Sequence, residues 1–144
     1  MTRTELVRFL RGHSLAVEAT VSPSGAPQAA VIGFVVTDAL ELFFDTVSSS
    51  RKYGNLRRDP RVAFAIGWDD CTAQIEGIAD EPTGDDLARL KELYFSRFVD
   101  GPARQAWSGI VYVRVRPTWA RFSDFRTDPP RIVEMGPDEI RLPG

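Results

Sequence analysis

Apolar residues change their spacing several times along the chain, and each change marks a predicted element. Between Thr4 and Arg11, Leu6, Val7, Phe9 and Leu10 recur at helical spacing, and Gly12 follows where a left-handed C-terminal cap would close a short helix. From Leu15 the period drops to two. Leu15, Val17, Ala19 and Val21 alternate with Ala16, Glu18, Thr20 and Ser22, and the stretch from Ser22 to Pro27 has turn chemistry, so a strand and a hairpin are predicted. Ala29 to Val36 has no polar side chain, the pattern of a strand buried on both faces between the core and a second apolar partner. Further strands are predicted over Leu40–Phe44, Arg61–Trp68, Thr72–Asp80 and Gly109–Phe122, with a closing hairpin of Ile132–Val133 and Glu139–Leu142 around Gly136-Pro137-Asp138.

Two further helices interrupt the strands. Ser49–Arg58 carries Tyr53 and Leu56 on one face and stops at Asp59-Pro60. Thr83-Gly84-Asp85-Asp86 has the form of a capping box, and Leu87, Leu90, Tyr94 and Phe98 continue at helical spacing. The expected fold is mainly β with short helices, a six- to eight-stranded antiparallel barrel. Its 144 residues form one domain by this reading, with no repeat, linker or low-complexity stretch.

Composition narrows the chemistry. A net charge of -2 offers no positive field to hold a nucleic acid, and no apolar run is long enough to span a bilayer. Cys71 is the only cysteine and the N-terminus carries charge where a signal peptide would be apolar, so a cytoplasmic protein is expected. His13 is the only histidine, leaving no Ser-His or Cys-His nucleophile pair and no His-rich metal cluster. No catalytic side chain is expected, and difficult chemistry falls to a bound cofactor or to the substrate.

The stretch from Phe43 to Lys52 carries the strongest functional signal. A strand ends and a helix begins there, and the junction holds four hydroxyls (Thr46, Ser48, Ser49 and Ser50) beside Arg51 and Lys52. Orphan backbone amides, the positive end of the helix dipole, hydroxyl donors and two cations together suit a phosphate. The same serines also serve as helix caps, with Arg51 and Lys52 as solvated charges.

Two ordered blocks decide the family resemblance. Phe44, Thr46 and Ser50-Arg51-Lys52 continue into Asn55-Leu56-Arg57-Arg58-Asp59-Pro60-Arg61-Val62-Ala63, and Trp68 is followed after five residues by Gln74-Ile75-Glu76-Gly77. The sequence resembles the pyridoxamine 5'-phosphate oxidase-like superfamily of FMN-binding split β-barrels, most strongly from Phe43 to Gly77. The resemblance implies that Thr46, Ser50, Arg51 and Lys52 bind the FMN phosphate and nearby ribityl oxygens, and that Gln74 hydrogen-bonds the flavin side of the pocket. Backbone groups of Val31, Ile32 and Gly33 would meet the polar edge of the isoalloxazine ring. It also implies a homodimer with the flavin at the interface, a small-molecule substrate, and weaker roles for Trp68 and Trp107.

Departures from the family pattern shape the expected activity. Ala29–Val36 lacks the Arg and Lys that pyridoxamine phosphate oxidases carry there, Arg121 replaces an acidic residue, Ser123 replaces a Trp, and Pro129–Gly144 has no His. These features favour a flavin-reductase-like member over vitamin B6 oxidation. The leading expectation is an FMN-dependent oxidoreductase using hydride transfer at flavin N5. The alternatives are an F420 (deazaflavin)-dependent reductase, with Arg57, Arg58 and Arg61 near the acidic tail, and a non-catalytic flavin- or haem-binding protein.

Overall fold

A computed structural model describes residues 1–142. Helix α1 (Arg3–Arg11) opens on a capping box, in which Glu5 N donates to Thr2 Oγ1 at 3.2 Å and Thr2 N donates to Glu5 Oε2 at 2.6 Å. It buries Leu6, Val7 and Leu10. Gly12 is right-handed (φ -71°), so the helix ends by a tightened turn, Gly12 N to Phe9 O at 3.1 Å, and not by the expected left-handed cap.

Strands β1 (Leu15–Val21), β2 (Pro27–Gly33), β3 (Val35–Val36) and β4 (Leu42–Val47) precede helix α2 (Arg51–Arg58), then β5 (Arg61–Ile66) and β6 (Cys71–Asp80). Helices α3 (Gly84–Arg97) and α4 (Gly101–Arg104) lead to β7 (Ile110–Asp124), β8 (Arg131–Met135) and α5 (Pro137–Arg141). The eight strands form one antiparallel sheet in the order β2-β1-β5-β6-β7-β4-β3, with β8 added to β7, curled into a half-barrel. The expected mainly β, antiparallel split-barrel class is what the chain adopts.

Several expectations are corrected. Ala29–Val36 is not one strand: Phe34 separates β2 from β3, and Val31 is 63% exposed, so β2 is not covered on both faces within the chain. Leu40 lies in the turn before β4 with φ 61°, inside a loop where Glu41 N donates to Thr37 Oγ1. The C-terminal hairpin is replaced by β8 and α5, because Pro137 sits in the first turn of a helix and Gly136 N donates to Glu139 Oε2 at 3.0 Å. Sequence periodicity also passed over α4.

The alternation in β1 points the opposite way from its hydrophobicity. Ala16, Glu18 and Thr20 are buried, whereas Val17, Ala19 and Val21 are only half-buried and Leu15 is 46% exposed. The inner face is filled from elsewhere, by Phe34, Phe43, Phe44, Ile66, Ile75 and Val115 with Leu6 and Leu10 of α1. Pro117 is tolerated inside the 15-residue β7 because a bulge opposite Glu76/Gly77 interrupts the ladder there.

An ionic knot centred on the buried Arg114 joins β7, β6 and α3. Arg114 donates to Asp80 from Nε and Nη2 (2.9 and 2.6 Å) and to Asp86 from Nη1 at 2.7 Å, and Arg89 donates to Asp86 and Glu41. Asp86 is therefore held by Arg89 and Arg114, which pull its carboxyl down to about 2, and the expected capping box at Thr83 does not form. Arg114→Ala should cost about 1–2 kcal/mol in urea denaturation, since Asp80, Asp86 and Glu41 lie partly in solvent or keep Arg116, Arg89 and Thr37 as partners. Arg121→Ala, at an exposed pair with Glu134, should leave the urea midpoint almost unchanged.

Candidate functional site

β4 delivers the chain to the candidate site. Its pairing with β7 runs to Val47 opposite Ile110, and Ser48 N donates to Gly109 O at 2.7 Å. Gly109 has φ 74°, and a Cβ there would lie 2.5 Å from Ser48 Oγ, so the crossing is fixed by glycine. Ser50 caps α2: its Oγ accepts from Tyr53 N at 3.3 Å and from Thr46 Oγ1 at 3.0 Å. Thr46 and Ser50 thus bond each other and shape the helix start.

α2 is fastened to the sheet by Asn55. This buried amide donates to Thr20 Oγ1 at 3.0 Å and to Gln28 Oε1 at 2.9 Å, bridging β1 and β2. The first turn of α2 then lies over the hairpin, leaving a cleft of about 100 Å³ lined by Glu18, Thr20, Gln28, Ala29, Ala30, Arg51 and Lys52. Small-molecule pockets run to several hundred Å³, so this space fits a headgroup and not a tricyclic ring.

The cleft contains a group that sequence reasoning missed. Glu18 is 2% exposed, and neither carboxylate oxygen has a hydrogen-bond partner among the described residues. Burial pushes its carboxyl up to about 7, opposed by the nearby Lys52 charge. Its signal was an acidic residue between Ala16 and Thr20 in a strand whose other face is apolar, a pattern that normally assigns Glu to solvent. Arg51 is exposed and Lys52 half-buried, with no hydrogen bond or ion pair described for either.

The remaining predicted residues are distributed over both faces of the sheet. Ile32 is buried. Gly33 is not an open approach: the Phe98 ring fills the space, 2.8 Å from where a Cβ would stand. Val31 and Gln74 are exposed on the opposite face from Glu18, linked through the register Val31, Val17, Ala65, Gln74. Three strand spacings of roughly 4.8 Å put Val31 and Gln74 about 14 Å apart. Gln74 therefore does not reach the Arg51–Lys52 cleft by lying beside it on the inner face.

Other candidates are engaged elsewhere. Arg57 donates to Tyr53 Oη, Arg58 to Val21 O, and Arg61 to Asp59. Trp68 and Trp107 are each more than half exposed. His13 has Nδ1 3.1 Å from Phe9 O and lines a different cleft, with Phe34 and Arg97. Among the described residues, no group of three or more His, Cys, Asp or Glu is arranged to hold a metal ion, and no helix is long and apolar enough to cross a membrane.

The family model described as pyridoxamine 5'-phosphate oxidase matches residues 2–124. The chain belongs to the pyridoxamine 5'-phosphate oxidase family. No curated protein sequence matches it significantly. Among solved structures, a heme binding protein from Mycobacterium smegmatis aligns over 98% of this chain with a TM-score of 0.84 and 17% identity. The chain spans 60% of that protein's length. A conserved hypothetical protein from Mycobacterium tuberculosis is 26% identical, with a TM-score of 0.75, covering 94% of this chain and 92% of its own. A pyridoxamine 5'-phosphate oxidase-related, FMN binding protein from Nostoc punctiforme is 14% identical over 93% of this chain and 92% of its own, with a TM-score of 0.63. This family member thus shares its scaffold with proteins whose bound groups differ.

The Glu18 environment has a measurable consequence. Its carboxyl ionises near the ordinary glutamate value when unfolded and near 7 when folded, so the fold keeps the proton more tightly. Stability is therefore full below the ordinary value, falls as pH rises toward 7, and is flat above it. Glu18→Gln should remove that fall. The variant should exceed the parent by up to about 3 kcal/mol at pH 8 and match it near pH 4.5, measured by urea denaturation at both values.

Proposed function

We propose that the chain is an FMN-dependent oxidoreductase that works as a homodimer, with Arg51 and Lys52 gripping the flavin phosphate. The observation that carries this reading is the pair of cations without described partners in the first turn of α2, facing a headgroup-sized cleft next to the β2 backbone at Ala29 and Ala30. A phosphate there meets two cations and the positive end of the helix dipole. Thr46 and Ser50 position that turn through their hydrogen bonds to each other and to Tyr53 N, and would help hold the phosphate-bearing chain of the ligand.

The flavin, when bound, supplies the hydride chemistry. This chain's residues bind and orient it: Arg51 and Lys52 fix the phosphate, backbone groups of β2 meet the ring edge, and the partner covers what one chain leaves open. The apolar face of β1, together with Ala29, Val31, Ala63 and Ala65, supports a twofold interface of like surfaces. In that arrangement Gln74 serves the pocket of the partner chain, which accounts for its place on the face away from Glu18. The substrate is a small molecule admitted between the two chains.

FMN is preferred over deazaflavin F420 because Arg57, Arg58 and Arg61, the cations available for a longer acidic tail, already bond Tyr53, Val21 and Asp59. Haem is less favoured because the cleft lining contains none of His, Cys, Met or Tyr.

Mass spectrometry of the small molecule released on denaturing the purified protein should identify FMN, and release of haem or F420 instead would overturn the assignment. Replacing both Arg51 and Lys52 with Ala should weaken FMN binding by about 3 kcal/mol, on the order of a hundredfold in Kd, with circular dichroism unchanged. Unaltered FMN affinity in that double variant would remove the phosphate role. Ala65→Glu should convert the dimer to monomer in sedimentation velocity, and a dimer that persists unchanged would place the interface elsewhere.

A further inference from the structure

The cleft holds more than two free cations. Thr20 Oγ1 and Gln28 Oε1 accept from the Asn55 amide, so the charged or ionisable groups of the cleft are Arg51, Lys52 and the Glu18 carboxyl, beside the neutral Thr20 hydroxyl and Gln28 amide. Glu18 projects from the inner face of β1, opposite Ala30 of β2 and Phe64 of β5, with both oxygens unpartnered among the described residues. Arg51 and Lys52 of α2 are the charged side chains facing it, and neither comes within ion-pair distance. β2 presents Gln28, Ala29 and Ala30, and β5 presents Phe64, so no other titratable group of these elements faces it.

We propose that Glu18 is a ligand-facing residue of this cleft, and that a phosphorylated ligand seated at Arg51 and Lys52 binds together with a proton on the Glu18 carboxyl. The charge balance gives the reason. A phosphate dianion matches the two cations, and an ionised carboxylate beside them would leave a buried excess negative charge with no hydrogen-bond donor to stabilise it. A protonated carboxyl instead donates its O–H to a ligand oxygen, satisfying a group that has no partner within the chain. The proton comes from solvent. The inference rests on the anion reading of the cleft above, and it adds a specificity: ligands with an anionic, oxygen-rich headgroup are taken up with one proton, most tightly when Glu18 is already neutral.

FMN titrations at several pH values between 7.5 and 9 test this, because the flavin phosphate keeps constant charge across that range. Kd for the parent should rise by roughly tenfold per pH unit, which is the uptake of one proton by linkage. Glu18→Gln should bind FMN with a Kd that varies less than twofold over the same range and is at least as tight as the parent's at pH 9. A flat parent profile, or an equal slope in the variant, overturns the proposal. Glu18→Ala provides a second variant with the same expected flat profile should Glu18→Gln fold poorly.

Sulfate separates this failure from failure of the flavin reading, since its charge is also constant. The sulfate-induced rise in Tm, beyond that seen in the Arg51→Ala, Lys52→Ala double variant, should shrink with pH in the parent and stay constant in Glu18→Gln. If FMN does not bind but sulfate behaves in this way, only the flavin assignment falls. If neither ligand shows a difference that depends on Arg51 and Lys52, both readings fall.

Discussion

The backbone of β7 fixes nearly everything that matters at the cleft. One strand of 15 residues serves β6 along one edge and shares the other between β4 and β8. Ladder hydrogen bonds are obligatory for buried backbone, so the start of β7 at Ile110 determines where β4 must leave the sheet. That exit, locked by Gly109 against Ser48, sets the origin of α2, and Asn55 then sets its tilt over the β1–β2 hairpin. The cations at the head of α2 are placed by a chain of backbone constraints that contains no cation itself.

The polarity of β1 sets a second constraint. A strand with alternating apolar residues ordinarily turns them inward, yet Leu15, Val17, Ala19 and Val21 face out while Glu18 and Thr20 face in. Thr20 is satisfied by Asn55, and Glu18 is not satisfied at all. Burying an unpartnered carboxyl is costly, and leaving an apolar row outside forgoes burial. Both costs fall on one strand, and a ligand on one side with a second chain on the other would relieve both.

The strand pattern and the junction from β4 to α2 were legible in the sequence because they rest on local signals: period-two alternation, turn residues and a hydroxyl cluster that caps a helix. The family followed from two blocks with the right separation. Where local signals compete with tertiary packing, the sequence misled. Gly33 carries no side chain, but only the fold reveals that the Phe98 ring occupies the vacated volume. Pro137 looks like a turn residue and also suits the first position of a helix, which is the use the chain makes of it. The burial of Glu18 was invisible because no local rule distinguishes an acid facing water from one facing an internal cleft. Gln74 was singled out by its motif, yet its face of the sheet depends on register with β5 and β7, which one strand's sequence does not encode.

The cleft draws its two halves from separate pieces of chain: the floor from the hairpin that includes Glu18 and Gln28, the lid of positive charge from a single helical turn. The halves are nevertheless stitched together, because Asn55 on that helix bonds Thr20 and Gln28 of the floor. Thr20 and Gln28 therefore carry a double duty as wall and as hinge pin, and of the polar floor residues only Glu18 can be exchanged without loosening the seat of the helix.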